Sequence, residues 1–182
     1  NGITLRLRNI KPMLSDKYLD ALREDGVPVD MPVVLARGLW SNLSSWENFG
    51  MELANSGRDV WLIEITGGPG QDCDDCVDYT FDDLTDYYVP ALLNGVLFYT
   101  GSSKLQYVGF SNGCRATLSS LEKGKFDPAK VDTFVAVGCP GAFEGQSPFK
   151  KYFNKYGNRI MLDFKNSGKK HIVEIELREK LK

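Results

Sequence analysis

Leu105-Gln106-Tyr107-Val108-Gly109-Phe110-Ser111-Asn112-Gly113-Cys114 is the stretch on which the fold turns. A short apolar run of strand length leads into Gly-x-Ser-x-Gly. Cys114, Leu118 and Leu121 then recur at helical spacing until Gly124 stops the pattern. Strand, tight turn and helix in that order place Ser111 at a sharp bend, with its hydroxyl thrust clear of the sheet. Side chains at 109 and 113 would collide with the neighbouring strand and helix, which is why glycine is needed at both positions. The first N–H groups of the helix and its dipole favour a negative oxygen formed beside such a serine.

Working outward, the same alternation repeats. Val33-Val34-Leu35-Ala36 is a continuous apolar run, as in a strand buried on both faces of a parallel sheet. Ser44 and Glu47 form a capping-box pattern ahead of Trp46, Phe49 and Leu53, and Gly57 closes that helix. Asp59 to Thr66 reads as a strand broken by Gly67-Gly68-Pro69-Gly70, a plain turn that lacks the residues of a phosphate loop. Thr80 is placed to cap a long helix striped by Phe81, Leu84, Tyr88, Leu92 and Val96, with a kink expected at Pro90. Val131 to Val137 reads as one more buried strand, closed by Gly138-Cys139-Pro140-Gly141. Upstream, Ile3 to Ile10 alternates as a strand. Ser15, Tyr18, Leu19, Leu22 and Gly26 outline a short helix. Strands alternating with helices at these spacings predict an α/β fold, a three-layer α/β/α arrangement around a mostly parallel sheet. After Ser147 the regularity weakens. Pro148 to Tyr156 reads as helix, Arg159 to Phe164 as strand or helix, and His171 to Leu177 as an edge strand.

A formal net charge of -2 without any Lys/Arg cluster offers nothing to nucleic acid. Acidic residues crowd between Asp72 and Asp86. No apolar run has the length of a membrane span. The start at Asn1 is read as a processed product or a piece of something longer. Cys73 and Cys76 form C-x-x-C among carboxylates. That is half a metal site without a second half, so no metal is expected. A local disulfide and two loop thiols both remain open, which leaves an extracellular setting open as well. Cys114 and Cys139 read as small core residues. Asn42-Leu43-Ser44 matches a glycosylation sequon. Trp40, Trp46, Trp61, Tyr87 and Tyr88 read as core.

Ala36-Arg37-Gly38-Leu39-Trp40-Ser41, directly after a buried strand and ahead of a helix, joins the Gly-x-Ser-x-Gly turn in a pattern that resembles the α/β-hydrolase family, in particular its lipases and esterases. The resemblance covers Met31 to about Phe143. It implies that Ser111 is a nucleophile. It also implies that the oxyanion is held by the N–H of Asn112 and by that of Leu39 or Trp40. Arg37 stands where the family motif has histidine. It is read either as a carboxylate-binding residue or as part of a salt bridge. The family order places an acid and then a histidine downstream, which makes Asp163 and His171 the in-chain candidates. His171 follows Lys169-Lys170 at the start of an alternating segment, in the manner of a solvent-facing strand.

Three explanations are compatible with this. The favoured one is the first portion of a longer enzyme, with the base supplied by further chain. The others are a shortened member that uses His171 and a fold kept without the chemistry. Residues 1–145 then form the core portion, and 146–182 the start of a lid or a C-terminal extension. The implied activity is hydrolysis of a carboxylic ester, with a small-molecule ester or lipid as substrate. No cofactor is expected, and Trp40 and Phe110 would flank an apolar acyl pocket. The alternatives are a non-catalytic binding domain of a larger protein and an acyltransferase.

Overall fold

The structure is a computed structural model, and it describes residues 5–38, 41–64, 79–140 and Lys155. The chain divides into two compact units, Asn1–Pro140 and Gly141–Lys182. All the elements below belong to the first. Five strands form one sheet in the order β1-β3-β2-β4-β5: β1 Arg6–Ile10, β2 Val33–Ala36, β3 Val60–Glu64, β4 Leu105–Phe110 and β5 Val131–Val137. β1 runs antiparallel to β3, and every other neighbouring pair is parallel. β2 lies in the middle of the sheet, so its four residues are wholly or almost wholly buried, as its unbroken apolar run required.

The period-two alternation of the strands divides the core into two layers. Val34, Ala36, Ile63, Leu105 and Tyr107 face one way, against Leu92, Leu93, Val96 and Ala116 of the helices α4 (Val89–Thr100) and α5 (Asn112–Glu122). Val33, Leu35, Val60 and Leu62 face the other way, against Ala54, Trp46 and Leu53 in and around α2 (Glu47–Asn55). Helices therefore cover both faces of a mostly parallel sheet. α1 (Asp16–Glu24) brings Leu19 and Leu22 up to Gly57, at the end of α2.

Several local expectations change once the chain is packed. The capping box expected at Ser44 is replaced by a 3-10 turn, Leu43–Trp46, preceded by Asn42, and α2 begins only at Glu47. Thr80 does cap its helix: its hydroxyl accepts from the Asp83 N–H, and Asp83 accepts from the Thr80 N–H in return. Beyond that first turn (α3, Phe81–Asp83), Leu84–Tyr88 is a π turn, and Pro90 falls in the first turn of α4. The first turn of a helix needs no N–H donor, so proline is accommodated there.

α5 does not bury Leu118, which is 44 % exposed. It buries Gly113, Ala116, Thr117 and Ser120, a face of small residues that lets the helix lie close on the sheet. Tyr18 and Tyr87 are exposed rather than core. β5, expected to be buried, is exposed at most of its positions, with Val135 at 44 % and Val137 at 38 %. Among the described strands it pairs with β4 alone. The Ile3 end of the first strand, the Gly67–Gly70 turn, Cys73 and Cys76, and the segments Pro148–Tyr156, Arg159–Phe164 and His171–Leu177 lie outside the described residues, Lys155 excepted. Among the described residues, no helix is long and apolar enough to cross a membrane.

Candidate active site

β4 ends at Phe110, α5 begins at Asn112, and Ser111 alone makes the turn between them. Its backbone has φ 50° and ψ -116°, and it is the one non-glycine residue with positive φ among those described. Such a conformation costs about 1–3 kcal/mol and persists only where the surroundings over-determine it. Several contacts do so here. The Ser111 N–H donates to the Val137 carbonyl at 2.9 Å, and the Ser111 carbonyl accepts from the Arg115 N–H at 3.1 Å.

The flanking glycines are required by sterics. A Cβ at Gly109 would lie 2.7 Å from Cys114 Cα and 2.8 Å from Tyr107 Cε1. One at Gly113 would lie 2.5 Å from the Arg37 carbonyl oxygen and 3.0 Å from Ala36 Cβ. The serine turn is thereby pressed between its own strand and the end of β2. Tyr107, fully buried on β4, holds the start of α5 from beneath. Its hydroxyl donates to the Gly113 carbonyl at 2.8 Å and lies 2.6 Å from Thr117 Oγ1. Burial pushes this phenol far above its ordinary pKa, against the smaller opposing effect of the Thr117 hydrogen bond.

The loop after β2 comes up against this turn. A Cβ on Gly38 would lie 3.0 Å from Ser111 Cβ and 2.9 Å from Phe110 Cδ1. The Gly38 carbonyl is held twice, by Arg37 Nη1 at 3.0 Å and by Ser41 Oγ at 2.9 Å. Arg37 is buried and forms an ion pair with Glu64 at the end of β3, Nε to Oε1 3.6 Å, with both side chains 5 % exposed. Desolvation pulls the Arg37 guanidinium below its ordinary pKa, with Glu64 and then Tyr79 opposing. Burial raises the Tyr79 phenol, and nearby Arg37 offsets part of that. Of the readings open for Arg37, the salt bridge is the one the described residues show.

Phe110 is 43 % exposed and meets the Trp46 ring edge-on at 6.5 Å. Asn112 begins α5 and is half-buried. Leu39, Trp40, Asp163 and His171 lie outside the described residues. Among the described residues, no group of three His, Cys, Asp or Glu could hold a metal ion.

One pair departs outright from its sequence reading. Cys114, in the first turn of α5, and Cys139, just past β5, are joined as a disulfide with Cα atoms 5.5 Å apart. Burial of Cys114 reflects that bond as well as its apolar surroundings. The two cysteines sit 25 residues apart on different elements, so the pairing leaves no local signal. The Glu64 partner of Arg37 was also missed, because Glu64 closes a strand that otherwise reads as apolar. Tyr107 carried a faint signal: a phenol inside a buried strand must find a hydrogen-bond partner.

No protein-family profile matches the chain. Among solved structures, the monoacylglycerol lipase of Paleococcus ferrophilus superposes with a TM-score of 0.57 at 16 % identity, over 87 % of this chain and 52 % of that one. A structure from work on carboxylesterases of Nitrososphaera gargenis gives 0.56 at 19 %, over 86 % and 49 %. The fold is that of the α/β-hydrolases. Epoxide hydrolase A of Mycobacterium thermoresistibile, at 0.54 and 19 % over 84 % of this chain and 42 % of that one, shares it too. The chain is also similar in sequence to gastric triacylglycerol lipase of Rattus norvegicus, 29 % identical over 136 residues (66 % of this chain, 34 % of the relative). Lipase lipl-5 of Caenorhabditis elegans is 28 % identical over 144 residues (69 % and 35 %). The chain thus spans about a third of the length of these curated relatives.

Proposed function

We propose that this chain is the nucleophile-bearing part of a carboxylic ester hydrolase acting on a lipid or small ester. The observation that carries the reading is Ser111, held at positive φ between β4 and α5 with glycines on either side that admit no side chain. Such a bend keeps the hydroxyl off the sheet, where an acyl carbon can approach it. Similarity to proteins named as lipases supports the substrate class.

In this mechanism Ser111 Oγ attacks the ester carbonyl. The carbonyl oxygen becomes an oxyanion held by the Asn112 N–H and by the N–H of Leu39, the residue after Gly38. A histidine takes the serine proton and returns it to the leaving alcohol, and water then repeats the sequence on the acyl-serine. His171, oriented by Asp163, is the in-chain candidate for that base. Further chain is the other source. Without a base the hydroxyl is a poor nucleophile at neutral pH. Phe110, beside the edge of Trp46, would line the acyl pocket together with Trp40. Residues 146–182 would begin a lid or a C-terminal extension.

The test is fluorophosphonate labelling of the full-length natural protein, with peptide mapping of the modified residue. Label on Ser111, abolished by Ser111→Ala, is the expected result. A folded full-length protein whose Ser111 stays unlabelled and which turns over no p-nitrophenyl ester removes the enzymatic reading.

A further inference from the structure

Two bridges join the Ser111 turn to the end of β5. One is the hydrogen bond from the Ser111 N–H to the Val137 carbonyl, and the other is the disulfide from Cys114 to Cys139. They span the same short gap, 111–114 on one side and 137–139 on the other. Between them lie Gly138, at φ 53°, and the Phe110 ring, against which a Gly138 Cβ would sit at 3.5 Å. β5 itself is a thinly covered strand, exposed at most positions. Its end is joined to β4 by backbone pairing, with Phe110 opposite Val137, and the disulfide adds a covalent tie just beyond that last pair. The Val137 carbonyl is one of the groups that hold Ser111 in its strained conformation.

We propose that the Cys114–Cys139 disulfide is a positioning device for Ser111: it clamps the first turn of α5 to the end of β5, so that reduction of this bond lowers the reactivity of the serine. The proposal rests on the reading of Ser111 as nucleophile and adds a redox dependence to that site. Intact, the bond keeps the Val137 carbonyl within reach of the Ser111 N–H. Cut, it frees the end of β5 to move away. Ser111 then relaxes toward an ordinary backbone, and its hydroxyl leaves the position the Gly38 loop faces.

The chemical step is thiol–disulfide exchange with a dithiol reductant. A thiolate of the reductant attacks Sγ of half-buried Cys139, and the Cys114 sulfur leaves and takes a proton. The second thiol of the reductant then closes its own disulfide and releases Cys139 as a thiol. Two electrons and two protons pass to the protein, and the reductant is oxidised by the same amount. A disulfide placed here also fits a protein working in an oxidising compartment, where such bonds persist.

The experiment uses the full-length natural protein, oxidised and after treatment with dithiothreitol, beside the variant carrying Cys114→Ala and Cys139→Ala. Fluorophosphonate labelling is measured across probe concentrations to separate the maximal rate from the half-saturating concentration, well below the melting temperature. Amide hydrogen exchange at Ser111 and Arg115 is followed in parallel. On reduction the maximal rate falls at least tenfold while the half-saturating concentration changes less than twofold. Exchange at Ser111 and Arg115 quickens at least tenfold while α2 is unchanged. Reoxidation by oxidised glutathione restores the wild type, and the double variant stays slow whatever the redox state. A reduced protein or double variant that keeps the native labelling rate overturns the clamp. So does unaltered exchange at those two amides, and this holds even if Ser111 proves unreactive in every state. That last outcome would instead remove the hydrolase reading.

Discussion

Gly113→Ala isolates the packing of the serine turn against β2. A methyl group at 113 would be built 2.5 Å from the Arg37 carbonyl oxygen and 3.0 Å from both Ala36 Cβ and the Ala36 carbonyl oxygen. The obstacle is backbone, so no rotamer change relieves it. The Arg37 carbonyl has to retreat into the ordinary contact range, which begins at 3.4 Å, a movement of about 0.9 Å. Two effects compete. Alanine gains about 1 kcal/mol of helix propensity over glycine, less at a first turn. Overpacking of a tight site costs about 1–3 kcal/mol. The clash prevails, for a net loss of about 1–2 kcal/mol, and a chain of this size then melts about 2–8 °C lower. The effect on reactivity is larger, because the displaced residues carry Gly38, whose Cβ would touch Ser111 Cβ. A misplacement of about 1 Å costs on the order of 100-fold in rate.

Thermal melts by circular dichroism and fluorophosphonate labelling of the natural protein measure the two effects separately. Gly101→Ala is the control. It sits at φ 68° with nothing within 4 Å of its Cβ, so it should lose about 1–2 kcal/mol from backbone strain and leave labelling unchanged. A Gly113→Ala protein that melts and labels like the wild type would refute the steric argument for the turn.

Ser111→Gly removes the strained non-glycine residue and should raise stability by about 1–2 kcal/mol while abolishing labelling; a melting temperature that falls would show that the conformation is unstrained. Arg37→Leu leaves Glu64 buried without this cation and should cost about 3–5 kcal/mol, whereas Leu at both 37 and 64 should recover most of the loss. Denaturant titrations of the single and double variants decide between them. Tyr107 titrates above its unfolded value of about 10 because it is buried. Its contribution is complete below about pH 10 and is lost as pH rises through that value, by up to about 1.4 kcal/mol per pH unit. Tyr107→Phe should flatten that alkaline slope in urea melts between pH 9 and 11, at a loss of about 1–2 kcal/mol at pH 7 because the Gly113 carbonyl loses its donor. An unchanged slope would show that the phenol is not the group responsible.

What the sequence by itself determined was the layering and the bend. Val33 to Ala36 had to be central, because four consecutive apolar residues satisfy a strand only when both of its faces are covered. Gly109 and Gly113 marked where strand and helix approach too closely for a side chain, and the structure puts backbone atoms where those side chains would be. These features are local: periodicity and the absence of a Cβ act over a few residues, so they can be read in order along the chain.

Tertiary structure alone decided who meets whom. Burial is the sum of every element packed on a residue. No local pattern therefore distinguished buried β2 from β5, and Leu118 points to solvent because the small face of α5 sits closer to the sheet. The Arg37–Glu64 pair and the Cys114–Cys139 bond each join segments brought together by a crossover of the sheet. A single side chain carries no record of its distant partner. Contacts of that kind exist only once the chain has closed the loops between them.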